Sequence, residues 1–165
     1  MRLLLFFIFS SFTLLAQEDF VYKSLDAALA NPNQVYQLQL RREGFTEFPK
    51  ELIEFPNLRA LDLSKNKIKS FPDSLAFLSS LLSLNLSRNN IEIIPTNIGL
   101  LVSLEQLDLW DNYITELPEQ LVDLKNLTLL DIRGVALNFN KYNTYLEMMK
   151  GVDLHMSEPC DCMEK

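Results

Sequence analysis

Apolar residues recur in this chain every 23 residues, and no other feature restricts its fold as much. Frames opening at Val35, Leu58, Leu81, Leu104 and Leu127 follow one another without insertion or deletion. Within a frame, positions 1, 4, 6, 11, 14, 18 and 21 are apolar. The second frame shows the pattern as Leu58, Leu61, Leu63, Ile68, Phe71, Leu75 and Leu78. The four frames from Val35 to Asn126 carry 28 such positions and all 28 are apolar, in a chain only 48% hydrophobic. Four of the seven prolines, Pro49, Pro72, Pro95 and Pro118, share position 15.

A coil of this length cannot bury its leucines alone, so stacking of coils has to create the core. Leucines at positions 4 and 6 alternate as on a strand and both point inward. Proline at position 15 fixes φ and lacks an N–H, which suits a break just ahead of the turns on the opposite side. Asn66, Asn89 and Asn112 share position 9, where the strand ends and the chain turns inward. A buried amide there offers donors and an acceptor to the backbone of neighbouring coils. Glu43 and Val135 replace the asparagine in the first and last frames, next to caps where no further coil is expected to need the bond.

These residues resemble the leucine-rich-repeat family, in the 23-residue form with a Leu-Pro step found in the Ras-suppressor-like group. The resemblance covers residues 35–137. It implies an α/β fold, a right-handed solenoid whose parallel concave sheet has about five short strands. Short helical or 3-10 turns would line the convex side and helical caps would close the ends. Ser24 to Ala30 reads as a helix capped by Ser24 and stopped at Asn31-Pro32. Tyr142 to Lys150 reads as a second helix ended by Gly151, with Val152 to Met156 extended. The expected organisation is a signal peptide at 1–16, a cap at 17–34, repeats at 35–137 and a terminal cap and tail at 138–165.

The signal reading rests on Arg2, an apolar run from Leu3 to Leu15, and Ala16 ahead of polar Gln17, Glu18 and Asp19. Thirteen residues at a 1.5 Å rise reach about 20 Å, short of the hydrocarbon layer, so no transmembrane segment is expected once this one is removed. Export to the cell envelope or the outside follows. A formal charge of −7 argues against nucleic acid as a partner, because neutralising phosphates takes a basic face.

Groups that carry chemistry are sparse. The single histidine, His155, lies beyond the repeats, so neither a Ser-His-Asp triad nor a histidine metal site can be assembled within them. Four glycines, Gly44, Gly99, Gly134 and Gly151, form no phosphate-cradling loop. No enzyme activity, cofactor or metal is expected. Both cysteines, Cys160 and Cys162, sit in the tail and leave three fates open: a disulfide, within the tail or to a second chain; soft-metal ligation short of a fourth ligand; or free thiols.

Stacking in register would turn positions 5, 7 and 8 into columns across the concave face. Position 5 supplies Asp62, Asp108 and Asp131, position 7 Trp110 and Arg133, and position 8 the basic strip Arg42, Lys65 and Arg88 followed by Asp111. The only tryptophan, Trp110, flanked by Asp108, Asp111 and Arg88, has the composition of a binding hot spot. The expected contact residues are Trp110, Asp108, Asp111, Arg88, Lys65, Arg42, Asp62 and Arg133. A shallow sheet suits a protein or peptide better than a small molecule, and a lone aromatic favours carbohydrate less. Two other readings stand beside this one: an intracellular regulatory scaffold, and a passive envelope component joined through its cysteine tail.

Overall fold

The computed structural model describes residues 18–137, 147 and 149–157. The segment read as a signal peptide, the cysteine tail and most of the helix read at Tyr142 to Lys150 lie outside these residues. Seven short strands form one parallel sheet in chain order. They are β1 (Val21–Tyr22), β2 (Gln37–Gln39), β3 (Ala60–Asp62), β4 (Ser83–Asn85), β5 (Gln106–Asp108), β6 (Leu129–Asp131) and β7 (Asp153–His155). A five-residue helix, α1 (Leu25–Leu29), follows β1, and Ser24 Oγ accepts its first free N–H, from Ala27, at 3.4 Å. So short a helix is not stable alone. It is held by Ala28, fully buried, and by Leu25 and Leu29 against the first coil.

Register follows the repeat. Leu38, Leu61, Leu84, Leu107 and Leu130 pair in line, each 23 residues after the last. Of the 28 apolar repeat positions all but Phe45 are buried, and Phe45 packs partly covered against the core. Each fully buried leucine is worth about 1.5–3 kcal/mol relative to an exposed one, so the interior dominates stability. Opposite the sheet run 3-10 turns at Lys50–Glu54, Asp73–Leu78, Thr96–Leu100 and Glu119–Asp123. Each opens directly after a position-15 proline, which stands at its N-cap in an extended conformation where ψ lies between 124° and 159°.

The sheet exceeds the expected five strands at both ends. β1 pairs Tyr22 with Leu38 at a separation of 16, too short for a full coil, so it is a cap strand. β7 pairs Leu154 with Leu130 at a separation of 24, one residue longer than the period. Leu154, Met156 and Ser157 thus repeat the order of Leu84, Leu86 and Ser87, and the segment past Gly151 is a sixth strand step of the solenoid. The single added residue takes it out of the 23-residue count.

The asparagine ladder points backwards along the chain. Asn66, Asn89 and Asn112 donate through Nδ2 to Leu40, Leu63 and Leu86 carbonyls of the preceding coil at 2.8–3.0 Å. Their Oδ1 atoms accept from Phe45, Ile68 and Ile91 of that same coil at 3.0–3.2 Å. Glu43 therefore stands where there is no earlier repeat to bond, as expected. Val135 does not fit that explanation, because a full coil precedes it. The ladder stops one coil early, and at the same turn the Gly134 N–H donates forward to Ser157 Oγ at 2.8 Å.

Candidate binding face

Columns 5, 7 and 8 line up from coil to coil, but the three are held differently. At position 5, Asp62, Asn85, Asp108 and Asp131 each accept through Oδ1 the backbone N–H two residues on, at 2.9–3.1 Å. This short-range turn spends one carboxylate oxygen on the chain itself. Asp62 also takes Gln39 Nε2 at 3.3 Å and Arg41 Nε at 3.4 Å through Oδ2. The acidic column is structural in part, and among the described residues Asp108 is the one of its three carboxylates without an ion pair.

Burial pushes the Asp108 carboxyl above the usual carboxylate range, and the neighbouring Asp131 charge adds to the shift. Trp110 N–H, Ser87 and Arg133 oppose it. For Asp131 the balance is reversed: burial acts upward, but the Arg133 hydrogen bonds and charge outweigh it and hold the carboxyl low. Arg133 grips Asp131 through Nε at 3.0 Å and through a terminal nitrogen, and the pair raises the Arg133 pKa in turn. Arg133, expected as a contact residue, pairs with the carboxylate of its own coil while about half of its side chain stays exposed. His155 adds Nδ1 at 3.7 Å from Asp131, which closes this cluster at the β7 end.

Position 7 is less exposed than alternation implies. Ser64 and Ser87 are buried, with Arg41 Nε donating to Ser64 Oγ at 3.1 Å. Trp110 is half-buried, and the Arg88 guanidinium lies over its ring, 4.6 Å from the centroid. Asp111 holds Arg88 from the other side, Oδ2 to Nε 3.6 Å. Trp110, Arg88 and Asp111 are therefore brought together as one stacked unit, with the indole partly exposed.

Position 8 does not belong to the strands. Arg42, Lys65, Arg88 and Asp111 all have left-handed backbones, with φ between 55° and 61°, and Gly134 takes the same place at 71°. Their N–H groups donate to position-7 carbonyls of the next coil: Arg42 to Ser64, Lys65 to Ser87, Arg88 to Trp110 and Asp111 to Arg133, at 2.7–3.3 Å. This bond continues the ladder past the strand end and holds the column in line. The Arg42 charge is the largest influence holding the Lys65 ammonium below its usual pKa, followed by desolvation, Arg41 and Arg88, against a pull from Asp62. Arg41, at position 7 of the first coil, completes this positive cluster.

The face carries shallow depressions rather than an enclosed cleft. One of about 220 Å³ lies over Gln37, Gln39, Ala60, Asp62, Ser83 and Asn85. Another of about 320 Å³ runs along the rim where Glu18 pairs with Arg59 at 3.0 Å and Arg59 stacks on Tyr36. Nothing in the repeat pattern marked this rim cluster, since Glu18 comes from outside the array.

Two family models described as leucine rich repeat match the chain, one over residues 33–91 and one over 103–124. The chain is a leucine-rich-repeat protein. The Arabidopsis thaliana BIR2 ectodomain is 30% identical over 60% of this chain, with a TM-score of 0.55. Two Listeria monocytogenes internalins share the fold at 22% identity over 82% of this chain: internalin C2, TM-score 0.66, and the internalin inlF, TM-score 0.61. This leucine-rich-repeat chain spans 54% of the BIR2 ectodomain and 57% and 40% of those internalins. No curated protein matches it. The fold is one that suits protein interaction, and no helix among the described residues is long and apolar enough to cross a membrane.

Proposed function

We propose that this leucine-rich-repeat chain is a binding module that engages a protein or peptide partner through its concave side, with Trp110 as the anchor. The observation that carries the reading is the stacked unit: an indole half-covered by Arg88, itself held by Asp111. Tryptophan and arginine are enriched where truncation costs a complex most, and an aromatic pre-positioned by its neighbours loses little freedom on binding. Open, shallow depressions favour a macromolecular partner over a small substrate, and the reading assigns the chain no catalytic step. Contact residues proposed with Trp110 are Arg88, Asp111, Asp108, Lys65, Arg42, Asp62 and Arg133. The unbroken 23-residue register and its position-15 prolines support the Ras-suppressor-like subgroup.

Paired capture tests the reading, with the native chain and Trp110→Ala as baits. A protein held by the native chain and lost by a folded Trp110→Ala supports it. The same set held by both baits refutes the anchor.

Export belongs to the same proposal and rests on the 1–16 segment, with the domain limits set out from the sequence. Sequencing the N-terminus of the native protein checks it: Gln17 as first residue is expected, and an intact Met1 in a soluble cytoplasmic fraction contradicts export.

A further inference from the structure

Four consecutive coils place a charged residue at a backbone conformation that glycine adopts freely and other L-residues avoid. The fifth coil shows the relaxed solution, Gly134. Three of the four charged residues are cations, Arg42, Lys65 and Arg88, and they stand on adjacent coils in a chain of net charge −7. Strand spacing of about 4.8 Å brings neighbours in this column close enough to repel one another. The depressed Lys65 pKa, owed first to Arg42, is the signature of that repulsion. Backbone strain and like-charge crowding at the same three positions are both costs to the fold, and stored strain of this kind clusters at functional sites.

Partnering sorts these cations. Arg88 is engaged by Asp111 and Trp110, and Arg41 by Asp62 and Ser64. Arg42 and Lys65 have no ion-pair partner among the described residues, and Arg42 is exposed and Lys65 partly so. In the fourth coil the column changes sign at Asp111, so the strip has a defined end beside the indole.

We propose that Arg42, Lys65 and Arg88 form a docking edge for an acidic peptide segment of a protein partner. The segment lies along the solenoid axis with its carboxylates over Arg42 and Lys65, and continues towards Trp110. This rests on the reading that the concave side binds a protein, and it names the chemistry of what binds. Spanning the three cations takes about 10 Å, or some three extended residues, so a short run of Asp or Glu is enough. The chain's overall negative charge repels such a segment everywhere else, which confines it to the strip.

Fluorescein-labelled octaglutamate is the probe, followed by anisotropy on the full chain, with a heparin octasaccharide as a second arm. Saturable octaglutamate binding is expected at low salt, weakening at least tenfold between 20 and 200 mM salt. Arg42→Glu and Lys65→Glu should each reduce it at least tenfold, while the charge-matched Lys125→Glu, behind the convex turn at Glu119–Asp123, changes it less than twofold. Lys65→Gly should raise the melting temperature and still weaken binding, which separates loss of the site from loss of the fold. Failure to bind octaglutamate, binding indifferent to Arg42→Glu and Lys65→Glu, or tighter binding of the octasaccharide at the same residues would each overturn the proposal. None of these outcomes bears on whether Trp110 anchors a captured partner, so the two readings fail separately.

Discussion

The guanidinium of Arg88 lies 4.6 Å from the centre of the Trp110 ring, one coil away, and is held there by Asp111 at 3.6 Å. A pair of this kind at an exposed site contributes about 0.5–1 kcal/mol, enough to fix the indole's orientation but not to hold the solenoid together. Trp110 is the chain's single tryptophan, so its fluorescence reports this pair alone. Arg88→Ala should shift the emission to the red as the ring gains water, with little change in urea midpoint. Unchanged emission would mean that Arg88 does not cover the ring in solution.

Asn89 is buried and bridges two coils, donating to Leu63 and Leu86 carbonyls and accepting from Ile68 N–H. Asn89→Ala removes one side chain and leaves backbone groups of both coils unpaired, each costing about 1–3 kcal/mol. A loss of roughly 3 kcal/mol or more in urea unfolding is expected. Glu43→Ala, at the same repeat position but with no earlier coil behind it, should cost less than about 0.5 kcal/mol.

Asp108 and Asp131 predict opposite responses to pH. The folded-state pKa of Asp108 is raised, so its ionisation costs nothing below the ordinary value of 3.8 and opposes folding increasingly as pH rises through the raised value. Asp131 is depressed: its contribution is present above 3.8 and is lost as pH falls through the depressed value. Asp108→Asn should therefore raise the melting temperature at pH 7 and leave it unchanged at pH 3. Asn85 already shows that an amide accepts the equivalent N–H. Asp131→Asn should lower it at pH 7, with the difference shrinking towards acid. Melting curves between pH 3 and 7 check both signs.

The convex turns pack closest where Gly99 faces the next coil. A Cβ at Gly99 would sit 2.9 Å from the backbone oxygen of Gln120 and 3.1 Å from its Cβ. Backbone cannot yield as a flexible side chain does. Gly99→Ala should cost about 1–3 kcal/mol by forcing the two turns apart, as other overpacked contacts do. A urea midpoint equal to that of the native chain would show that the turns have room to separate.

The interior of this fold is legible in the sequence because each coil restates it. Leu61, Leu84 and Leu107 occupy identical surroundings, so their spacing carries the register with it. The terminal strands were harder to read for a physical reason. The extended reading at Val152 to Met156 located β7 but not its place in the sheet. β7 comes 24 residues after β6, and a period of 23 does not carry Leu154 and Met156 into the repeat. The face was only partly legible. Alternation placed Trp110, Arg88 and Asp111 near one another, but nothing in the sequence of Arg42, Lys65 or Arg88 announces a left-handed backbone. Gly134 in the same column is the one hint. Alternation also cannot show that Asp62 and Asp131 turn an oxygen back onto their own chain, or that Arg133 is drawn to Asp131. Those depend on distances across a turn, which repeat spacing does not encode.

The convex side offers a rival surface, with Phe77 and Leu100 more than half exposed on the turns at Asp73–Leu78 and Thr96–Leu100. Amide hydrogen exchange of the chain, with and without the protein that the native bait retains, decides between the two sides. The account predicts slowed exchange at 62–66, 85–89 and 108–112, with 73–78 and 96–100 unaffected. Protection confined to the convex turns would contradict concave-face binding outright.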